Sequence, residues 1–310
     1  MLNPGNPQSI DNTVLQILEE VVPRTAIYTD ADMSALTSFK AGGKASVLVE
    51  PETDEQIAIA AMRLVEKNVP FFILGNGTNT LVKDTGYKGV VIHVGKKFNK
   101  TIVEGDRIIA YAGASLSSVA REAANAGLKG MEFAAGIPGS VGGAVAMNAG
   151  AYGGEMKDII ENVTVIGENG EPREIKAKDM AFGYRTSRIQ NEKLIVTKVV
   201  IKLTRGDKND IFVRMDELAA LRREKQPLEL PSAGSTFKRP EGNYAGKLIM
   251  EAGLRGYRIG GAEVSEKHCG FIVNTGNATA TDIVNLMTYV MKTVFEKSGI
   301  MLEPEIVVLG

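Results

Sequence analysis

The sequence holds one cysteine and two histidines in 310 residues. A lone thiol, Cys269, excludes an intramolecular disulfide and suits a reducing compartment. His93 and His268 lie far apart without ligand-spaced partners, which argues against a histidine-based metal site. An excess of one sign of charge is also lacking, with 36 Lys and Arg against 37 Asp and Glu. With a net charge of −1 there is no basic surplus to neutralise phosphates, so a nucleic-acid surface is not expected. Small acidic substrates stay open, since they need only a local cluster of Lys and Arg. No apolar run approaches the ~20 residues of a membrane span. The opening "MLNPGNPQSI" lacks the basic and apolar regions of a secretory signal. The expectation is a cytoplasmic globular protein of two or three domains, with no membrane partner.

Local patterns predict an α+β chain. Apolar spacing suggests a helix over Ser9–Val22, ended by Pro23. A strand at Ala45–Glu50, a helix opened by a Thr53/Gln56 capping box, and a strand at Phe71–Leu74 read as a βαβ unit. "IVEGDRIIAYAG" predicts a hairpin turning at Gly105-Asp106, and a helix over Ser115–Ala126 is stopped by Gly127. "VTVIGENGEPREI" predicts a second hairpin with Asn169-Gly170 at its turn. The strand "KLIVTKVVIKL" precedes a helix "DELAALRREK" that ends before Pro227. Beyond it come a helix near Ala245–Ala252, a strand "GFIVN", a helix over Thr281–Lys297 and a terminal strand "EIVVLG". No internal repeat or low-complexity linker separates these pieces.

Glycine is the residue in local excess. The stretch Gly136–Gly154, "GIPGSVGGAVAMNAGAYGG", has seven glycines and no charge. Each glycine costs more entropy to order than any other residue, so the chain must either turn through positive φ there or lie close against something bulky. A second Gly-rich segment, "LGNGTNTLV", follows the strand Phe71–Leu74 directly. Its Gly75 and Gly77 permit close approach, and Thr78 and Asn79 add donors beside bare backbone N–H groups that suit a phosphate. Neither the Rossmann fingerprint nor a P-loop is present. Two uncharged glycine-lined walls can sandwich a large flat ligand and neutralise its diphosphate with amide dipoles alone. Tight packing accounts for Gly142-Gly143 but not for the whole run. The expected ligand is a dinucleotide.

Three further side chains stand out. Arg185 in "FGYRTSRI" has the planar fork that suits a carboxylate or phosphate. Ser235 sits in the small-residue loop "PSAGSTFKRP", without the histidine a hydrolase triad would need; an ST-turn is its plainer role. Glu305 in "LEPEIVVL" enters an apolar strand, and burial would let it hold a proton. Lys225, at the end of "RREK", is either a solvated helix end or a phosphate contact. His268 and Cys269, as strand neighbours, are expected to face opposite ways and not to act as a pair.

Taken in order, "TSFKAGG", "LGNGTN", "GIPGSVGGAVAMNAGAYGG", "YRTS", "KQPLELPSAGSTFKRP", "HCGFIVN" and "LEPEIVVLG" resemble the UDP-N-acetylenolpyruvoylglucosamine reductase family from about Thr37 to the C-terminus. Only "TRGDKND" separates "KVVIKL" from the following helix, so the likeness is to the shorter, type II form. Type I members carry extra structure with a substrate-covering tyrosine, which has no counterpart here.

The resemblance implies a vanillyl-alcohol-oxidase/PCMH-type FAD fold: two α+β subdomains and a separate C-terminal α+β substrate domain. The implied boundaries are an N-terminal helical segment at 1–32, FAD subdomain 1 at 33–98 with strand 301–310 joined to it, FAD subdomain 2 at 99–209, and a substrate domain at 210–300. It implies noncovalent FAD held by Gly75, Asn76, Gly77, Thr78 and Asn79, and by Ile137, Pro138, Gly139, Ser140, Gly142, Gly143, Ala144, Asn148, Gly150, Ala151 and Tyr152. NADPH would be the co-substrate. Hydride would pass from flavin N5 to the terminal carbon of an enolpyruvyl sugar nucleotide, giving UDP-N-acetylmuramate for peptidoglycan. Arg185 and Glu305 would hold the developing charge and Ser235 would supply the proton. Tyr184, Arg185, Lys225 and Ser235 would bind substrate, with Lys225 and Arg239 both open as grips on the diphosphate. The expected assembly is a monomer or weak oligomer. Two other readings are a flavoprotein of the same fold oxidising a hydroxy acid, and a non-catalytic nucleotide-sugar binder. The first wants a base at the flavin, where only Tyr184 offers itself; the second has no use for a proton donor.

Overall fold

A computed structural model describes residues 12–167 and 169–310. The chain divides into two compact units, the first comprising 1–29, 47–76 and 88–221, the second 30–46, 77–87 and 222–310. Among the described residues, no helix is long and apolar enough to cross a membrane.

The first unit begins with the helix Asn12–Glu19, which buries Val14, Ile17 and Leu18; residues 9–11 of the expected helix lie outside the described residues. A four-stranded sheet has the order Ile27–Asp32, Lys44–Val49, Tyr87–His93, Phe71–Leu74. The expected βαβ unit therefore spans an intervening strand: Phe71–Leu74 pairs in parallel with Tyr87–His93, with Leu74 opposite His93. The connecting helix Asp54–Glu66 starts where expected, because the Thr53 hydroxyl accepts from Gln56 N at 3.1 Å. The reciprocal half of the capping box is displaced by one residue. Gln56 Oε1 accepts from Glu52 N at 2.7 Å.

A five-stranded antiparallel sheet has the order Pro172–Lys176, Ile160–Ile166, Ile195–Lys202, Arg107–Tyr111, Thr101–Glu104. Alternation drives it: Val163, Val165, Val199 and Ile201 are all buried. The hairpin at Gly105-Asp106 forms as expected, and Gly127, at φ 67°, ends the helix Leu116–Asn125. The second hairpin also forms, with Asn169-Gly170 in the connection and Gly170 at φ 74°. Its last pair is Ile166 with Pro172, so the connection is longer than a two-residue turn, because a proline begins the return strand and cannot extend the ladder inward. The helix expected at "DELAALRREK" starts earlier and runs Lys208–Lys225. The reason is a cap: Asp207 Oδ1 accepts from Asn209 N at 2.8 Å and Asp210 N at 3.2 Å.

In the second unit, the sheet order is Ser232–Ser235, Phe271–Asn274, Ala262–Val264, Arg258–Ile259. The helix Ala280–Ser298 lays Ile283, Leu286, Val290 and Val294 into the core. Its N-terminus has a full capping box of Thr279 and Asp282. Asp84 adds a cap from elsewhere in the chain, accepting from Ala280 N at 2.9 Å and Thr281 N at 2.8 Å. The terminal strand Val307–Leu309 pairs in parallel with Thr80–Val82. His268 and Cys269 are not strand neighbours but lie in the turn before Phe271.

Candidate active site

In the second unit the polypeptide from Ser235 to Lys238 is bonded along both edges. Ser235 lies opposite Phe271, and Thr236 N donates to Gly270 O at 2.8 Å. On the other edge Glu305 N donates to Thr236 O at 2.9 Å, Phe237 bridges Pro304, and Lys238 N donates to Glu303 O at 2.8 Å. Ser235 and Glu305, far apart in sequence, thus become neighbours through main-chain pairing. Asn79 joins them: its side-chain amide donates to Glu305 O at 2.9 Å, and its carbonyl accepts from Val307 N at 3.0 Å. One carboxylate oxygen of Glu305 is buried.

The Gly-rich turn before Asn79 is packed against the "TSF" segment. Gly77 has φ 62°, and a Cβ there would stand 2.1 Å from Leu36 O; Ser38 N donates to Gly77 O at 3.1 Å. Only glycine fits this approach. The hydroxyls of Thr37 and Ser38 are buried and have no hydrogen-bond partner among the described residues. An unsatisfied buried hydroxyl costs ~1–3 kcal/mol, so this loop retains unused donors of the kind a diphosphate takes. The sequence alone points to neither residue, because nothing in a primary structure separates a threonine that finds an acceptor from one that does not.

In the first unit, Pro138, Gly139 and Ser140 lead into the helix Val141–Ala146, and the Ser140 hydroxyl caps it by accepting from Gly143 N at 3.3 Å. Gly75 lies against this hydroxyl, which brings the two Gly-rich segments together. Part of the glycine excess serves the protein's own packing, since Gly142 backs onto Ala112. Gly143 is different. A Cβ there would meet only the Ser140 hydroxyl, at 3.4 Å, so its face is open. Ala144 is buried in the core. Gly150–Ala151 pairs with Gly154–Glu155, placing exposed Tyr152 at the tip of the turn.

Arg185 occupies a tight turn closed by Gly183 N to Thr186 O at 3.1 Å. Its φ is 55°, a left-handed conformation that costs a non-glycine residue ~1–2 kcal/mol. Such strain persists only where surroundings over-determine it. Here Asn148 Nδ2 donates to Gly183 O at 3.1 Å before the turn, and Ser187 Oγ donates to Ala146 O at 2.8 Å after it. The guanidinium carbon stands 5.3 Å from the Tyr184 ring centre. The carboxyl of Glu155 is held below the usual carboxylate range by its hydrogen bond to Lys157, against a burial penalty, with further help from Asn148 and the charge of Arg185. Arg185 therefore has an ionised neighbour at neutral pH. Lys225 is exposed at the last position of its helix.

Two other groups are accounted for by packing. His268 Nδ1 accepts from Gly270 N at 3.1 Å, and burial pushes its pKa down. Cys269 is buried in the second core, where burial pushes its thiol pKa up. Nothing here makes a thiolate. In the first unit the uncharged donors around the open face at Gly143, and in the second the buried Thr37 and Ser38 hydroxyls, which have no partner among the described residues, are each of a kind that fits the diphosphate of FAD without cations.

Comparison with known proteins accords with this geometry. The family profile described as FAD binding domain matches residues 45–176, and that described as UDP-N-acetylenolpyruvoylglucosamine reductase, C-terminal domain, matches residues 226–309. A protein of Caldanaerobacter subterraneus subsp. tengcongensis named UDP-N-acetylenolpyruvoylglucosamine reductase is 52% identical, over 94% of this chain and 97% of its own. The crystal structure of the Thermus caldophilus reductase superimposes with a TM-score of 0.79 at 38% identity, covering 90% of this chain and 98% of that one. A glucose dehydrogenase, Phl p 4.0202, matches with a TM-score of 0.50 at 15% identity over 93% of this chain and 59% of its own, a likeness of fold alone. The fold is α+β, of the vanillyl-alcohol-oxidase FAD-binding type. The chain belongs to the UDP-N-acetylenolpyruvoylglucosamine reductase family.

Proposed function

We propose that this protein reduces UDP-N-acetylenolpyruvoylglucosamine to UDP-N-acetylmuramate, using FAD and NADPH, in the synthesis of peptidoglycan precursors. The observation that supports the residue-level reading is the pairing of Glu305 N with Thr236 O, which brings the main chain of Glu305, with one buried carboxylate oxygen, against the strand that carries Ser235. Bound FAD supplies hydride taken from NADPH. The residues proposed to hold it are Gly75–Asn79 and, leaving out Asn148, Ile137–Tyr152, with Thr37 and Ser38 added from their unused hydroxyls. In this reading residues 33–98 with 301–310, and 99–209, form the flavin-binding subdomains, and 210–300 receives the substrate. The setting is the cytoplasm, and the protein acts as a monomer or weak oligomer.

Hydride addition at the terminal alkene carbon drives negative charge onto the substrate carboxylate. Preorganised donors must already be in place to receive it. Arg185 serves as the cation and protonated Glu305 as a hydrogen-bond donor. Ser235 passes its proton to the adjacent carbon and recovers one from water, so one hydride and one proton are added across the double bond. Tyr184 and exposed Lys225 bind the substrate, the lysine at its diphosphate.

The purified protein should be yellow, bleach with NADPH, and regain colour without air when the enolpyruvyl sugar nucleotide is added. A colourless protein with no affinity for added FAD would exclude the assignment. A flavoprotein that bleaches but is not reoxidised by this substrate would exclude the substrate.

A further inference from the structure

We propose that Asn148 is not a cofactor contact but a positioning residue, which ties the Gly-rich segment to the Arg185 turn and so fixes where the guanidinium points. Its side chain is almost fully buried, with 2% exposure. A carboxamide has two N–H donors and a carbonyl acceptor, and all three functions are taken up inside the protein. Nδ2 donates to Glu155 Oε2 at 2.8 Å and to Gly183 O at 3.1 Å, while Oδ1 accepts from Lys157 N at 2.9 Å. Its backbone N–H is also engaged, donating to Val145 O at 3.1 Å. No donor remains for a flavin nucleotide.

The geometry gives each bond a purpose. Asn148 follows the helix Val141–Ala146 with φ 44°, a left-handed conformation that asparagine tolerates better than most residues. The departing end of this segment grips the Arg185 turn at two points, Gly183 through the Asn148 amide and Ser187 through Ala146 O. Gln190 Nε2 adds a second bond to Ala146 O, at 2.9 Å. Between the grips sits Arg185 in its own left-handed conformation. The same amide orients the Glu155 carboxylate, which pairs with Lys157 at 2.7 Å and whose charge also acts on Arg185. A side chain that ties down the backbone under the guanidinium and orients a carboxylate acting on it decides the direction of that cation. This inference rests on the assignment of Arg185 to the reacting carboxylate.

The test uses FAD-loaded protein and follows the two half-reactions separately. Asn148→Gly keeps the backbone conformation and removes the amide. Asn148→Asp keeps the shape and puts a carboxylate against Glu155. For Asn148→Gly, reoxidation by the enolpyruvyl sugar nucleotide should slow by ~10–100-fold, the scale of a small misplacement of a reacting group. Reduction by NADPH and the Kd for FAD should stay at wild-type values, and amide hydrogen exchange over residues 183–187 should quicken. In Asn148→Asp, reoxidation should recover as pH falls, because a proton shared with Glu155 restores a donor; the wild type should lack this limb. Combined with Arg185→Lys, Asn148→Gly should add almost no further loss.

A large rise in the Kd for FAD, with a wild-type reoxidation rate at saturation, would make Asn148 a cofactor contact and overturn the proposal. A parallel fall in both half-reactions and in Tm would reduce it to a structural residue and overturn the proposal equally. If Arg185→Lys alone leaves reoxidation unchanged, the Arg185 assignment fails. If it slows reoxidation while Asn148→Gly does not, only the positioning inference fails.

Discussion

The Ser235 and Glu305 pair in the second unit is held by the main chain, whereas Arg185 in the first unit is held by side chains. Ser235 and Glu305 occupy extended backbone whose neighbours are bonded by N–H and C=O groups that every residue has. Arg185 occupies a strained conformation kept by Asn148, Ser187 and Gln190. A site on a backbone ladder keeps its shape when its functional side chain is changed. A site on a side-chain network keeps its shape only while those particular residues remain. The two halves of the chemistry should therefore respond differently to mutation.

Ser235→Ala should produce the largest effect and the cleanest. The paired strand survives, so flavin reduction by NADPH continues, while stopped-flow reoxidation by substrate falls ~10²–10⁴-fold for loss of a general acid. Equal losses in both half-reactions would show that the ladder was not independent of the side chain.

Arg185→Gly comes next and should separate activity from stability. Removing the cation should cost ~10²–10³ in reoxidation, the scale of a lost charge-stabilising group. Glycine relieves the left-handed conformation, so thermal unfolding should hold or rise by ~1 kcal/mol. A marked fall in Tm would mean the guanidinium itself supports the turn.

Glu305→Gln should act more mildly, because the backbone bonds to Thr236 and Asn79 do not involve the carboxylate. We expect reoxidation slowed by ~10-fold with unchanged FAD content by absorbance. Normal turnover would remove Glu305 from the chemistry.

The smallest effect should come from a side-chain anchor within the second unit. Burial works against ionisation of Asp84, but hydrogen bonds from the Thr281 hydroxyl and the Thr281 and Ala280 N–H groups outweigh it and hold its pKa below the usual carboxylate range. A depressed folded-state pKa contributes stability above the unfolded value, lost as pH falls through the folded one. Asp84→Ala should thus cost ~0.5–1 kcal/mol at neutral pH, at the low end for a cap because the group is exposed. The mutant's stability should also fall less steeply than the wild type's below about pH 4. An unchanged acid limb in denaturant titrations would show that the terminal helix is carried by Thr279 and Asp282 alone.

Elements with local cause can be read directly from the chain. Thr53 announces its helix, Gly127 ends another, and the periodic apolar face of Ala280–Ser298 is unmistakable. Where charged residues interrupt the pattern, the reading falls short. It starts the helix Lys208–Lys225 too late, at "DELAALRREK", although Ile211, Met215 and Leu218 already form its buried stripe and the capping Asp207 stands in plain view. The strand Tyr87–His93 between the arms of the βαβ unit leaves no trace in either arm. At the site, Ser235, Glu305 and Arg185 can be nominated from their chemistry. Asn148 falls in with the cofactor contacts, because an amide in a Gly-rich run looks the same whether it faces a ligand or a carbonyl.

The linear order of residues by itself settled the class of protein, the Gly-rich segments and the inventory of groups able to move a proton or hold a charge, since composition, caps and motif order are local properties. Tertiary structure alone decided that Glu305 meets the Ser235 strand, that the Thr37 hydroxyl has no hydrogen-bond partner among the described residues and that Arg185 is bent into a left-handed turn. Those outcomes depend on hydrogen bonds between residues remote in sequence, and a partner that remote is chosen by the packing of the folded chain.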